Sequence, residues 1–162
     1  MIPKPYVITI SVVLIAAAAG CAIMMINHPS ENESNPPDID PSGYRLKIAG
    51  PNGTVYADFA DTTAARELIA ALLKSPVDVE LEDYGSFEKV GDIGVKLTRS
   101  DKSTDTGPGD IVLYSGSKIV IFYGNNSWSY TRLAKVTDAT SDGMKSFLGE
   151  GDVSLQLSAE TR

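Results

Sequence analysis

One cysteine and one histidine are all that 162 residues contain, and both precede residue 30: Cys21 inside an apolar run and His28 just after it. The remainder of the chain therefore has no disulfide, no thiolate nucleophile and no imidazole. A Ser-His-Asp triad, a Cys-His pair and a histidine metal site are all excluded from it. Positive charge is scarce as well. The formal net charge is −7, and from residue 41 onward 13 basic side chains stand against 17 acidic ones with no basic run or stripe. Binding to nucleic acid by neutralising phosphates is excluded on that ground. No cofactor signature is present either. "TGPGD" (Thr106 to Asp110) lacks the Gly-Lys-Ser/Thr ending of a phosphate loop and leads into a strand, so it reads as a turn in which Asp110 bonds to loop amides.

Long hydrophobic runs are confined to one place. "YVITISVVLIAAAAGCAIMMI", from Tyr6 to Ile26, carries no charge. As a helix it would span roughly 31 Å at about 1.5 Å per residue, close to a bilayer's hydrocarbon thickness of about 30 Å. Lys4 precedes it while Glu31 and Glu33 follow, which orients the N-terminus inward and the rest of the chain outward. Three readings share that geometry: an uncleaved transmembrane anchor, a lipoprotein signal and a cleaved signal peptide. The second rests on "AAGC" (Ala18 to Cys21), which resembles a bacterial lipobox and makes Cys21 the candidate lipidation site; Ala18 stands where leucine is usual, and "AIMMI" stays apolar after the cysteine. Residues 1–26 are thus read as a membrane segment. Residues 27–43, "NHPSENESNPPDIDPSG", lack any apolar period and read as a disordered linker, leaving a membrane-tethered, extracytoplasmic domain over 44–158. Asn32, Asn52 and Asn125 begin sequon matches, a pattern of low specificity.

Within the domain, "YRLKIAG-PNG-TVYADFA" reads as a hairpin, with Leu46 and Ile48 alternating against Arg45 and Lys47, and Val55, Ala57 and Phe59 on the return strand. "DTTAARELIAALLKSP" is the one clear helix: Asp61 is its expected N-cap, Ala65, Leu68, Ile69, Leu72 and Leu73 form one apolar face, and Pro76 stops it. Then come "VDVELEDYGSFEKVGDIGVKL", "IVLYS", "KIVIFYG", "YTRLAKV" and "DVSLQLS", with "SDGMKSFLG" as a short helical turn. Short strands broken by Gly-rich turns make the class mainly β, about eight strands with one capping helix.

"ADFADTTAARELIAALL", "DYGSFEKVG" and "PGDIVLYSGSKIVIFYGNNSWSYTRLAKV", in that order, resemble the prokaryotic cyclophilin-like family over roughly residues 44–157. The resemblance implies a closed eight-stranded β-barrel, and members of this compact type mostly have no assigned activity. Classical cyclophilins isomerise X-Pro bonds, a step slow enough uncatalysed to limit folding. Their Phe-His-Arg strand is similar to "GSFEKVG", which would place Glu88 and Lys89 where the family has histidine and arginine, and Phe122 and Tyr123 would match an aromatic pair flooring the proline pocket. Lys89 keeps the charge and loses the planar fork that grips a peptide carbonyl. The pocket histidine has no counterpart.

Trp128, Tyr130 and Arg132 alternate and would share a strand face. Aromatic planes beside a guanidinium suit a peptide, a sugar or a small anionic ligand. The plainer alternative has the two aromatics covering a barrel end and Arg132 paired with an acid. Asp78, Glu80 and Glu82 also share a face, without the glycine turn of a calcium loop, and read as a solvated strand face. Lys89, Phe122, Tyr123, Trp128, Tyr130 and Arg132 are the candidate cleft for a peptide segment or small polar ligand, with no catalytic residue assigned. A weak prolyl isomerase acting on exported proteins is the alternative.

Overall fold

The computed structural model describes residues 38–162. A short 3₁₀ turn at Pro41–Gly43, capped by Asp40, whose carboxylate accepts from Ser42 N at 2.9 Å, leads into β1 (Tyr44–Gly50). Pro51 and Asn52 turn the chain into β2 (Gly53–Phe59), paired with β1 from Arg45↔Asp58 to Gly50↔Gly53. α1 (Thr63–Lys74) follows, then β3 (Val77–Tyr84), β4 (Glu88–Asp92), β5 (Lys102–Thr106), β6 (Asp110–Tyr114), β7 (Lys118–Phe122), β8 (Asn126–Val136), α2 (Ser141–Leu148) and β9 (Val153–Thr161).

All nine strands belong to one sheet, in the order β2-β1-β9-β3-β4-β7-β6-β8-β5. A further pairing of β2 with β8, Ala57↔Val136 to Phe59↔Ala134, returns the ladder to its start. Eight strands therefore bond in a ring, and β5 hangs on β8 alone. Period-2 alternation decides what fills the ring. Leu46 and Ile48 of β1, Leu81 of β3, Ile111 and Leu113 of β6, Ile119 and Ile121 of β7, and Leu155 and Leu157 of β9 join one buried cluster. Each such side chain, removed from water, contributes roughly 1.5–3 kcal/mol. α1 adds Ala64, Leu68 and Leu72, and α2 adds Met144, Phe147 and Leu148. The first and last strands meet: β1 pairs with β9 at Tyr44↔Thr161, and Arg162 N donates to Gly43 O at 3.1 Å.

Four details depart from the sequence reading. Thr62, not Asp61, caps α1: its extended backbone lets Oγ1 accept from Ala65 N at 3.1 Å, while Asp61 pairs with Arg66. Leu73, counted in the apolar face of α1, is exposed. "SDGMKSFL" is a two-turn helix capped by Thr140 rather than a single turn, so a second helix packs on the core. β5, "KSTDT", was unexpected because it offers no apolar residue to alternate. The expected membrane helix over 1–26 and its Cys21 lie outside the described residues, among which no helix is long and apolar enough to cross a membrane.

Candidate functional site

The sheet carries a second, smaller apolar cluster on the face opposite the main core. Val112 of β6, Val120 and Phe122 of β7 and Tyr130 of β8 are buried together, with Phe87 and Val90 packed against them. Register explains the grouping, because directly paired residues share a face. One cross-strand row runs Glu82–Val90–Val120–Val112–Arg132 over β3, β4, β7, β6 and β8. A second runs Tyr84–Glu88–Phe122, and a third Asp92–Lys118–Tyr114.

Above this apolar floor lies an open cleft of about 840 Å³. One wall is the outward face of β3, with Asp78, Glu80, Glu82 and Tyr84. The other is the first half of β8, with Asn126, Trp128 and Tyr130. Tyr130 is fixed by edge-on contacts with Phe122 (centroids 5.7 Å apart) and Tyr114 (6.3 Å), and its hydroxyl accepts from Asn126 Nδ2 at 3.0 Å. Trp128, 63% exposed, stands at the rim. The cleft is acidic, Lys118 being its one basic lining residue among the described residues.

Glu88 is the exceptional group. Its residue is only 6% exposed, it lines the cleft, and among the described residues its Oε2 is buried without a hydrogen-bond partner. Burial pushes its carboxyl up to about 7. Burial, and then the Glu88 charge, also raise the Tyr130 hydroxyl. Asp92 is held below the usual carboxylate range by the Gly94 amide and the Ser117 hydroxyl.

The structure brings together only part of the residue set read from the sequence. Tyr130 and Trp128 line the cleft, and Phe122, fully buried, lies beneath it against Tyr130. Lys89 does not: it points to the other side of β4, is 0% exposed, and its ammonium donates to Asp83 Oδ2 at 3.1 Å and to the Gly151 carbonyl. Tyr123 lies on that same side and donates to Asp83 Oδ1 at 2.7 Å. Burial pushes Asp83 up, but the Tyr123 hydroxyl and the Lys89 ammonium together outweigh it and hold the carboxyl low. Burial first, and then the bond to Asp83, carry Tyr123 up to about 12. Arg132 lies on the cleft's face but pairs with Asp110 at 3.0 Å and donates to the Asp105 carbonyl at 3.1 Å. Asp110 also accepts from the Gly107 amide at 2.7 Å, the loop role read from the sequence. Glu88, Val90 and Tyr114 were missed as cleft residues. The signal available was the i, i+2 pairing of Glu88 with Val90, but nothing local told which face of β4 it occupied.

The model of the cyclophilin-like family matches residues 48–158. The chain belongs to that family. No curated protein matches this cyclophilin-like chain. Among solved structures it is similar to the hypothetical protein AF2241 from Archaeoglobus fulgidus, with a TM-score of 0.56 and 14% identity, over 75% of this chain and 98% of that one. At that identity the likeness is one of fold.

Proposed function

We propose that this cyclophilin-like chain is a binding module, its ring a closed barrel, tethered to a membrane through its N-terminal segment and held outside the cytoplasm. Its ligand, a peptide segment or small polar molecule, lies in the outer cleft against Tyr130 and Trp128, with Phe122 supporting Tyr130 from beneath. The observation that carries this reading is the exposed Trp128 at the rim of an 840 Å³ depression whose floor is apolar. Pockets for small ligands commonly span about 300–1,000 Å³ with apolar linings and a few placed polar groups. The tether is supported by the uncharged run from Tyr6 to Ile26 and the acidic, proline-rich stretch after it. The isomerase alternative draws no support from Lys89, which faces away from the cleft and is occupied by Asp83 and Gly151.

Trp128 is the chain's single tryptophan, so its fluorescence reports on the cleft without labelling. The full chain in mild detergent is titrated with acidic, neutral and basic tetrapeptides. At least one class should give a saturable change in emission. By calorimetry, Trp128→Ala should bind that peptide at least tenfold more weakly, about 1.4 kcal/mol, with its thermal unfolding unchanged. No binding by any class at millimolar concentration would sink the reading, and an unfolded Trp128→Ala would reassign the side chain to structure.

A further inference from the structure

We infer that the cleft selects an organic cation, a primary ammonium or guanidinium on an apolar stem, whose N–H groups donate to Glu88. This rests on the binding reading above and names its ligand class.

Three independent features converge. The first is the buried acceptor: Glu88 lines the cleft, and its Oε2 is buried with no donor among the described residues. Leaving a buried carboxylate unpaired is costly, and an N–H cation is the group that satisfies it. The second is charge. Asp78, Glu80, Glu82 and Asp92 line the same cleft, and Lys118, its one basic lining residue among the described residues, lies at the far end of β7 from Phe122, the cross-strand partner of Glu88. Four residues of strand separate them by roughly 13 Å. Lys102, opposite Tyr130 on β5, is not among the lining residues. Lys89, next in the chain, is turned to the other face and neutralised by Asp83. The third is aromatic surface. Tyr84, Phe87, Tyr130 and Trp128 line the same cleft as the acceptor, and a cation over an aromatic face is attracted by its quadrupole.

A bare metal ion fits poorly. Among the described residues no three acidic, histidine or cysteine side chains gather around one point. The acids are spread along a strand, which suits an extended organic cation. An anion would face the acids of the β3 wall, with Arg132 already held by Asp110 and Asp105.

Binding should also be linked to protons. The titratable groups nearest Glu88 are Tyr84 and Glu82 on β3, Tyr123 just after β7 and Tyr130 on β8, while Asp92 and Lys118 pair at the far end of the cleft and Tyr114 on β6 stands against Tyr130. Burial raises both Tyr123 and Tyr130, and the Gly94 amide lowers Asp92. With Glu88 titrating near 7, the ionised fraction, and with it affinity for a cation, rises about tenfold between pH 6 and pH 8.

The test titrates the full chain in mild detergent with butylguanidinium, butylammonium, tetramethylammonium, the neutral isostere butylurea and the anion butyrate, following Trp128 emission and heat. Butylguanidinium and butylammonium should bind best. Tetramethylammonium, which offers no N–H to Glu88, should trail them, and butylurea and butyrate should be at least tenfold weaker. Glu88→Gln should weaken butylguanidinium at least tenfold at pH 8 and flatten its pH dependence. A variant-free check is the ¹³C carboxyl titration of Glu88 by NMR, whose midpoint should move down when butylguanidinium is present. Comparing butylguanidinium with Ala-Arg-Ala separates a free cation from a basic side chain on a peptide, both within the inferred class. Butylurea or butyrate binding as tightly as butylguanidinium, or a Glu88→Gln protein with unaltered affinity and pH profile, would overturn cation selectivity while leaving a binding cleft. Failure of these probes together with all three tetrapeptide classes would remove the binding reading itself.

Discussion

Glu88 and Lys89 are chain neighbours on β4, and the strand sends them to opposite faces with opposite consequences. Lys89 enters the ring and finds an acid, a tyrosine-bonded one at that; the lysine is fully buried while the Asp83 side chain stays 30% exposed. Removing the acid would leave the buried ammonium with the Gly151 carbonyl as its acceptor, at less than the about 3–5 kcal/mol that breaking a fully buried pair costs. Glu88 enters the cleft and, among the described residues, has no partner to bond its Oε2. The linkage for Glu88 follows from its raised carboxyl: the folded state holds its proton more tightly than the unfolded state does, so this group weakens folding as pH rises from about 4.5 through about 7. Glu88→Gln, uncharged at every pH, should therefore match the parent protein near pH 4.5. At pH 8 it should exceed the parent by about 1–2 kcal/mol after discounting for the open mouth of the cleft. Urea unfolding at the two pH values measures the difference, and equal stability at pH 8 would show that Glu88 ionises without penalty.

At the scale of elements, legibility tracked how much of the information was local. The β1–β2 hairpin was readable because Leu46, Ile48 and Ala57 alternate on one side of a Pro-Asn-Gly turn. The helix α1 was readable from its apolar face, although its cap shifted by one residue because Thr62 takes the extended conformation that lets a hydroxyl reach Ala65 N. β5 was unreadable: Thr104 and Thr106 are buried by pairing with β8, a tertiary event that leaves no apolar pattern in "KSTDT". The facing of β4 was the costly gap. Lys89 and Gly91 share a face, and so do Glu88 and Val90, and a one-residue slip exchanges the two sets. The pairing with β7 settles it by placing Glu88 opposite Phe122 and Val90 opposite Val120. Gly91 also bears on it, since a Cβ there would stand 2.1 Å from the Glu80 carbonyl oxygen and 2.7 Å from Leu81 Cδ2. The backbone of β3 leaves no room for a side chain at that point. Gly91→Ala should cost about 2–3 kcal/mol through overpacking, lowering the urea midpoint. A neutral outcome would mean that β3 and β4 separate without loss.

At the scale of the molecule, the ring relieves most strands of a free edge and leaves one at β5, where lysine and aspartate discourage pairing with another chain. It also makes two elements far apart in sequence into neighbours. The start of β1 lies against the end of β9, and Arg162 N reaches Gly43 O. In connectivity, then, the strands form a circle that the chain happens to break between β9 and β1. Joining Arg162 to Gly43 through a few glycines and opening the backbone between Pro51 and Asn52 should yield a circular permutant with the same ring. β1 and β9 would become an ordinary hairpin, and the cleft between β3 and β8 would be untouched. Its unfolding midpoint should fall by no more than roughly 4 °C, about 1 kcal/mol; collapse of the fold would mean that β1 and β2 must be contiguous for the ring to close. On the tethered reading proposed above, the end that carries the attachment is then a matter of convenience rather than architecture, and the domain could be hung from any turn remote from the cleft.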